Sequence, residues 1–187
     1  MLRRGQGARF MPGSWVFAGG GVDPPDREQA AAMLAEGAGE GLDVEELTHR
    51  IAAARELNEE ASVEIEPLSL RPFSRWITPT PVPIRFDTRF YIGIAPAHCS
   101  PEADGREMDE ARWVAPWLAL DEHREGRFEI SFPTIKHLEM LVPFATAGEL
   151  YEHAATLRPE PILPRIAGTE DDFSVLLPGE PGYEQGV

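Results

Sequence analysis

Three glutamates lie close together in the middle of the chain, at Glu56, Glu59 and Glu60. Residues three and four apart share a face of a helix, so a helix through this segment would aim all three carboxylates to one side. Carboxylate oxygens are the ligands that Mg²⁺ prefers, together with water and substrate phosphates. The chain also holds 32 Asp and Glu residues, and a solvated acidic helix face has the same pattern. The spacing alone leaves a divalent-cation site and an acidic surface both open.

The element that would position these carboxylates is a helix from about Val44 through Ala61. Asp43 is placed to cap its first turn, with Glu46 three positions later as in a capping box. Upstream, a short apolar strand at Trp15–Phe17 runs into Gly19-Gly20-Gly21, where glycines free the backbone. The sequence therefore predicts a glycine turn and a capped acidic helix.

Between them, a loop is expected at Asp23-Pro24-Pro25-Asp26, because prolines stop a helix. A short Ala-rich helix should follow from Arg27 to about Met33, and an extended Pro/Gly-rich arm should begin at Arg158. The mixture of strands and helices indicates an α/β or α+β fold. The other predicted elements are strands at Leu68–Ile77, Arg85–Ala95 and Trp113-Val114, the last after an acidic loop at Asp104–Glu110, and helices at Pro116–Glu125, Thr134–Leu141 and Ala147–Leu157.

Length and composition limit what the chain can be. Its 187 residues suffice for one domain with a real core. The formal net charge of −15 repels polyanions and argues against a nucleic-acid polymer as the main partner. The single Cys99 excludes an internal disulfide and fits a reducing compartment. No apolar run is long enough for a membrane span or a secretory signal, so we expect a cytoplasmic protein.

The block from Arg55 through Val63 resembles the second half of the Nudix box, written G-x5-E-x7-R-E-U-x-E-E-x-G-U with U an aliphatic residue. The segment Phe17–Gly20 stands where the family has Phe-Pro-Gly-Gly, and Asp26 stands where it has Glu. Two departures are visible. Between Asp26 and Arg55 lie 28 residues, far more than the box allows, and Ser62 replaces the final glycine.

An insertion inside the box, here at about 27–50, is a feature of the branch that resembles the peroxisomal CoA diphosphatase (nudix hydrolase 19-like). The resemblance continues downstream and covers roughly residues 2–145. A second pattern, found before the box in coenzyme A pyrophosphatases of the superfamily, is matched in part here. The residues at its spacings are Arg4, Arg9, Gly13, Phe17, Gly19 and Gly20.

The resemblance implies a Nudix-type α/β/α sandwich with a mixed sheet. In the family a first strand leads into the segment that corresponds to Leu2–Arg4, and we expect that strand to be short or absent here. The Nudix domain would span 1–145, followed at 146–187 by a C-terminal helix and the Pro/Gly-rich arm. Homodimers are common in the family, so the resemblance admits a homodimer.

The resemblance also implies the metal site. Glu56, Glu59 and Glu60, with the backbone carbonyl of Gly19, would hold Mg²⁺ or Mn²⁺. Arg55 would orient the helix glutamates, although a surface salt bridge of little consequence is equally compatible with the sequence.

A carboxylate must take the proton from the attacking water. By resemblance, Glu56 is the first candidate for this base. Glu107 and Glu110, in the acidic loop, are the alternatives.

Substrate-binding residues are also implied. Arg4 and Arg9 could grip phosphates, or belong to a solvated N-terminus. Phe17, like Trp15, could stack on adenine, although a short aromatic strand is more often core. Arg89 lies on a predicted strand, one face of which would line the cleft.

The resemblance therefore implies Mg²⁺-dependent hydrolysis of a phosphoanhydride bond in a small nucleoside-diphosphate-linked metabolite. Coenzyme A or acyl-CoA is the first substrate hypothesis, and ADP-ribose or NADH is the second. A nucleotide-binding Nudix module without catalysis is an alternative, as is an acidic surface that matches the box by coincidence.

Overall fold

The computed structural model describes residues 1–8, 11–168 and 173–187. The chain divides into two units, one formed by Met1–Leu70 and Gly93–Glu152, the other by Arg71–Ile92 and His153–Val187. The glycine turn and the three glutamates all belong to the first unit. The expected domain boundary at residue 145 stays a prediction.

The helices and strands, in chain order, have the following bounds. The strands are β1 Leu2–Arg4, β2 Trp15–Val16, β3 Arg71–Ile77, β4 Asp87–Ile92, β5 Met108–Ala111, β6 Pro161–Ile162, β7 Arg165–Gly168 and β8 Phe173–Leu176. The helices are α1 Pro24–Ala35, α2 Val44–Ala61, α3 Pro116–Arg124, α4 Phe132–Leu141 and α5 Ala147–Thr156.

The first unit is built on a three-stranded antiparallel sheet in the order β2-β1-β5. A bulge ends the β1–β2 pairing. The N–H of Arg4 donates to the carbonyl of Ser14 (2.9 Å), while the N–H of Gly13 donates to the carbonyl of Arg4 (2.9 Å). Gly13 has φ +79°, a conformation that a glycine bulge requires. The bulge therefore places Ser14 directly opposite Arg4.

Helix α2 packs on one face of this sheet. Leu2 and Met108 from the sheet form a buried cluster with Ala61 and Val63 at the C-terminal end of the helix. The predicted cap is confirmed, because the Asp43 carboxylate accepts the Glu46 N–H at 2.7 Å.

Helices α3 and α4 cover the opposite face. Trp15 alternates with Val16 along β2 and therefore points away from α2. Its ring stacks on Phe128 with centroids 4.3 Å apart, in a core completed by Leu120 and Leu138. Helix, sheet and helix thus form the layers of the predicted α/β/α sandwich.

Two local predictions were wrong. The segment Asp23–Asp26 is not a loop, because α1 begins at Pro24. The prolines occupy the first helical positions, where no N–H is needed, and Asp23 and Asp26 form a reciprocal capping box. The predicted strand at Trp113-Val114 is also absent. The acidic segment before it supplies β5 instead, because β1 offers it a pairing partner.

The second unit contains β3 between β4 and β6, antiparallel to the first and parallel to the second, together with the hairpin β7–β8. Among its described residues, the segment after Arg158, where an extended Pro/Gly-rich arm is predicted, contains the short strands β6, β7 and β8. Among the described residues, none of the helices has the length and apolarity needed to cross a membrane.

Candidate active site

Glu60 lies in α2 and is almost fully covered, with 7% of its surface exposed. Its carboxylate accepts a hydrogen bond from the N–H of Gly19 at 2.9 Å, so the glycine turn touches the helix at this side chain. The pKa of Glu60 is raised to about 7, mainly by burial. The negative charges of Glu56 and Glu107 act in the same direction, while the Gly19 N–H and the positive charge of Arg4 act to lower it.

Glu56 lies one turn earlier, with its carboxyl group against Gly20. A Cβ atom added to Gly20 would come within 2.7 Å of all three carboxyl atoms. Only glycine leaves room for the carboxylate at this position. Burial raises the pKa of Glu56, and this effect exceeds the opposing influence of Arg55.

Arg55 joins three parts of the unit. Its guanidinium donates to both carboxylate oxygens of Asp26 (3.0 and 3.1 Å) and to the carbonyl of Gly21 (2.9 Å). It also donates to Glu56 and Glu59, each at 3.0 Å. Asp26 is only 2% exposed, so this is not a surface salt bridge. Burial acts to raise the pKa of Asp26, but the hydrogen bonds from Arg55 hold it below its usual value.

Glu59 is placed differently from its two neighbours. Its side chain is 56% exposed and is turned to Arg55. Within residues 1–8, 11–168 and 173–187, no three His, Cys, Asp or Glu side chains are arranged as a metal site. The two inner carboxylates still fit Mg²⁺, which proteins bind through one or two carboxylates while waters and substrate phosphates complete the octahedron. Two covered, mutually repelling carboxylates are the donor set that a divalent cation would stabilise.

The acidic loop brings Glu107, rather than Glu110, to this face. The carboxylate of Asp104 accepts the N–H groups of Glu107 and Met108, and the carbonyl of Glu107 accepts the N–H of Gly5 at 2.8 Å. Glu110 lies opposite Arg3 in the sheet and pairs with its guanidinium at 3.0 Å. That pair shares the side of Trp15, so Glu107 is the better placed of the two.

The predicted substrate-binding residues have different surroundings. Arg4 shares the α2 side of the sheet with Leu2, and its Nε is buried without a hydrogen-bond partner among residues 1–8, 11–168 and 173–187. Phe17 packs against the Trp15 core and meets His137 edge-on at 6.1 Å. Arg89 lies in β4 of the second unit, and Arg9 lies outside the described residues, so the roles of both stay predictions.

Sequence reasoning missed Ser14. Ser14 is fully buried, and its hydroxyl, like the Nε of Arg4, has no hydrogen-bond partner in the part of the chain that the structure describes. No motif position marks it. The signal available was its place directly after Gly13, two residues before Val16, on the strand that leads into the glycine turn.

Comparisons with known proteins identify the family. The model of the NUDIX domain matches residues 1–132. The chain belongs to the Nudix family. The putative nudix hydrolase 7 of Caenorhabditis elegans is 29% identical over 176 residues, which cover 75% of this chain and 54% of the relative. The chain thus spans about half the length of that curated relative.

A solved Nudix structure supports the fold. The crystal structure of a NUDIX hydrolase from Alicyclobacillus acidocaldarius superimposes with a TM-score of 0.68, covering 81% of this chain and 86% of the other. The two sequences are 24% identical, so this likeness bears on the fold alone. The predicted Nudix-type α/β fold is confirmed.

Proposed function

We propose that this Nudix protein is a divalent-cation-dependent pyrophosphatase that cleaves the phosphoanhydride bond of a nucleoside-diphosphate-linked metabolite. The observation that carries the proposal is the pair Glu56 and Glu60, covered by the glycine turn on the helix that Arg55 anchors. A purely solvated acidic face would not bury a carboxylate to 7% exposure, because desolvation of the charge is unfavourable.

Glu56 and Glu60 would hold Mg²⁺ or Mn²⁺, with Glu59 and the carbonyl of Gly19 as the further ligands that the family resemblance implies. When bound, the cation neutralises pyrophosphate charge and lowers the pKa of a coordinated water. Arg55 keeps Glu56 beside the turn, since it contacts both that carboxylate and the Gly21 carbonyl.

A carboxylate takes the proton of the attacking water, and Glu56 is the first candidate. It is covered by the turn, and its pKa is raised by burial, which suits a group that must accept a proton. Glu107 is the second candidate, from the neighbouring loop. Glu107→Gln decides between them, because Glu56 is also a proposed metal ligand: a large loss of kcat with unchanged metal binding would make Glu107 the base, and nearly unchanged kcat would leave Glu56 as the base.

Coenzyme A or an acyl-CoA is the proposed substrate, with ADP-ribose or NADH as the second choice. The support is the partial match to the coenzyme A motif and the buried Nε of Arg4, which has no hydrogen-bond partner within the described residues and acts electrostatically on Glu60. The homodimer and the cytoplasmic location belong to the same proposal, and light scattering and cell fractionation test them.

The test is to incubate the protein with Mg²⁺ and CoA, acetyl-CoA, ADP-ribose or NADH and to identify the products by mass. Cleavage of CoA should give 4′-phosphopantetheine and adenosine 3′,5′-bisphosphate. Glu60→Gln serves as the matched inactive variant. Absence of turnover on every substrate would end the enzyme proposal, and nucleotide binding that is unchanged by EDTA would then favour a binding module.

A further inference from the structure

Two buried donors on the first unit lack an acceptor. Within the described residues, neither the Nε of Arg4 nor the hydroxyl of Ser14 has a hydrogen-bond partner, and Ser14 is 0% exposed. A single buried polar group left unpaired costs about 1–3 kcal/mol. Two such groups in one place indicate that an acceptor belongs there.

The two groups are neighbours across the sheet. Their backbones are joined by the hydrogen bond from the Arg4 N–H to the Ser14 carbonyl, at 2.9 Å. Leu2 and Val16 are paired in the same register, so the side chains of Arg4 and Ser14 project to the same face as theirs. That face packs on α2.

The positive charge of Arg4 favours an anion as the missing acceptor. Arg4 is electrostatically coupled to Glu60 but forms no ion pair with it, whereas its strand neighbour Arg3 is paired with Asp109 and Glu110. An arginine that lies near a carboxylate but is not bound to it can bind an oxyanion by donating two N–H hydrogen bonds.

We propose that Arg4 and Ser14 form a phosphoryl-oxygen subsite, in which the Ser14 hydroxyl donates to the same tetrahedral oxyanion that the Arg4 guanidinium binds. This inference rests on the proposed function and makes Ser14 a substrate-binding residue outside the Nudix box. The hydroxyl is covered in the free chain, so a rotamer change of Arg4 accompanies binding, as is common for side chains at binding sites.

The test measures binding of inorganic pyrophosphate in the presence of Mg²⁺ by calorimetry, which requires no turnover. Ser14→Ala should weaken binding about tenfold, the usual effect of one hydrogen bond to a charged group. Because the hydroxyl is unpaired in the free chain, the same variant should unfold no earlier than the wild type. Ser131→Ala is the matched control: its hydroxyl bonds Thr134 at 3.0 Å, so it should lose stability without losing affinity.

A double-mutant cycle tests whether the two residues act on one group. Arg4→Lys keeps the charge but loses Nε, and Ser14→Ala should cost much less affinity in that background than in the wild type. Ser14→Cys, which preserves packing with a weak donor, replaces the alanine variant if that variant does not fold, with the same loss of affinity expected.

Three results would overturn the subsite: no pyrophosphate binding by the wild type, unchanged affinity in Ser14→Ala, or lowered stability with unchanged affinity. The last would assign the missing acceptor to an internal water. Failure of the proposed function is a different result, namely no hydrolysis of any substrate in the panel. The effect of Ser14→Ala on pyrophosphate binding can be measured whether or not the protein hydrolyses a substrate.

Discussion

Asp26 and Arg55 bind each other through two hydrogen bonds, of 3.0 and 3.1 Å, although 28 residues separate them. Those residues fold as most of α1 and the first part of α2, whose shared core is Ala30, Leu47 and Ile51. The inserted segment therefore brings Arg55, which begins the second half of the Nudix box, back to Asp26 in the first half.

Breaking this pair should harm both stability and activity. Asp26→Asn leaves the Arg55 guanidinium beside a neutral partner, and loss of one member of a buried pair costs about 3–5 kcal/mol. Urea unfolding should show a loss of stability near the lower end of that range, because Arg55 keeps its hydrogen bonds to Glu56 and Glu59. The kcat should fall as well. Asp121→Asn removes an exposed pair with Arg124 and should change stability by less than about 1 kcal/mol. Equal effects of the two variants would contradict the structural role of Asp26.

Glu60→Gln should stabilise the protein when EDTA is present and remove the stabilisation by Mg²⁺. The amide oxygen can still accept the Gly19 N–H, while the unfavourable burial of a charge is relieved, a gain of about 1–3 kcal/mol. Thermal unfolding with EDTA and with Mg²⁺ measures both effects. Glu59→Gln is the control, because its exposed side chain should change the EDTA value little. A less stable Glu60→Gln protein in EDTA would contradict this account.

Two adjacent glycines should respond differently to alanine. Gly20→Ala forces the Glu56 carboxyl group out of its place, and a shift of about 1 Å in a catalytic group can cost a hundredfold in rate. A Cβ on Gly21 meets nothing within 4 Å, so Gly21→Ala should keep activity within about twofold. Steady-state kcat and KM on the best substrate separate the two. Similar activity in both variants would show that Glu56 does not need its position against the turn.

His137 should make the fold sensitive to acid. Burial lowers its pKa in the folded chain, against the opposing hydrogen bond to the Pro133 carbonyl. The unfolded chain then binds a proton first, so the contribution of neutral His137 is complete above the ordinary histidine pKa of about 6.5 and is lost as the pH falls below it. Urea unfolding at about pH 8 and about pH 5.5 should therefore show a smaller loss for His137→Gln than for the wild type.

His49→Gln is the control for that measurement, because His49 is partly exposed on α2 and bonds the Glu45 carbonyl one turn away. It should keep the pH dependence of the wild type. The same slope in the His137 variant would assign the acid sensitivity to other groups.

The parts of the site that could be predicted from sequence depend on short-range rules. Helical spacing and the Asp43 cap define α2, and the family pattern identified Asp26 and Arg55 across the insertion. The helix start at Pro24 was also encoded locally, in an Asp23 cap followed by a proline that needs no N–H.

What could not be predicted depends on pairing between distant segments. The acidic strand β5 forms because β1 supplies its hydrogen bonds and because Arg3 and Arg112 compensate the charge of Glu110. The burial of Ser14 is likewise a tertiary property, because it depends on packing between segments that are distant in sequence.

The hydrogen bonds between Asp26 and Arg55 make the segment between them a suitable place for an insertion. Both of its ends are fixed where the chain enters and leaves the site, and extending a closed loop costs only about 0.6 kcal/mol for each doubling of its length. We therefore expect the connection between α1 and α2 to accept added residues while the carboxylates keep their places.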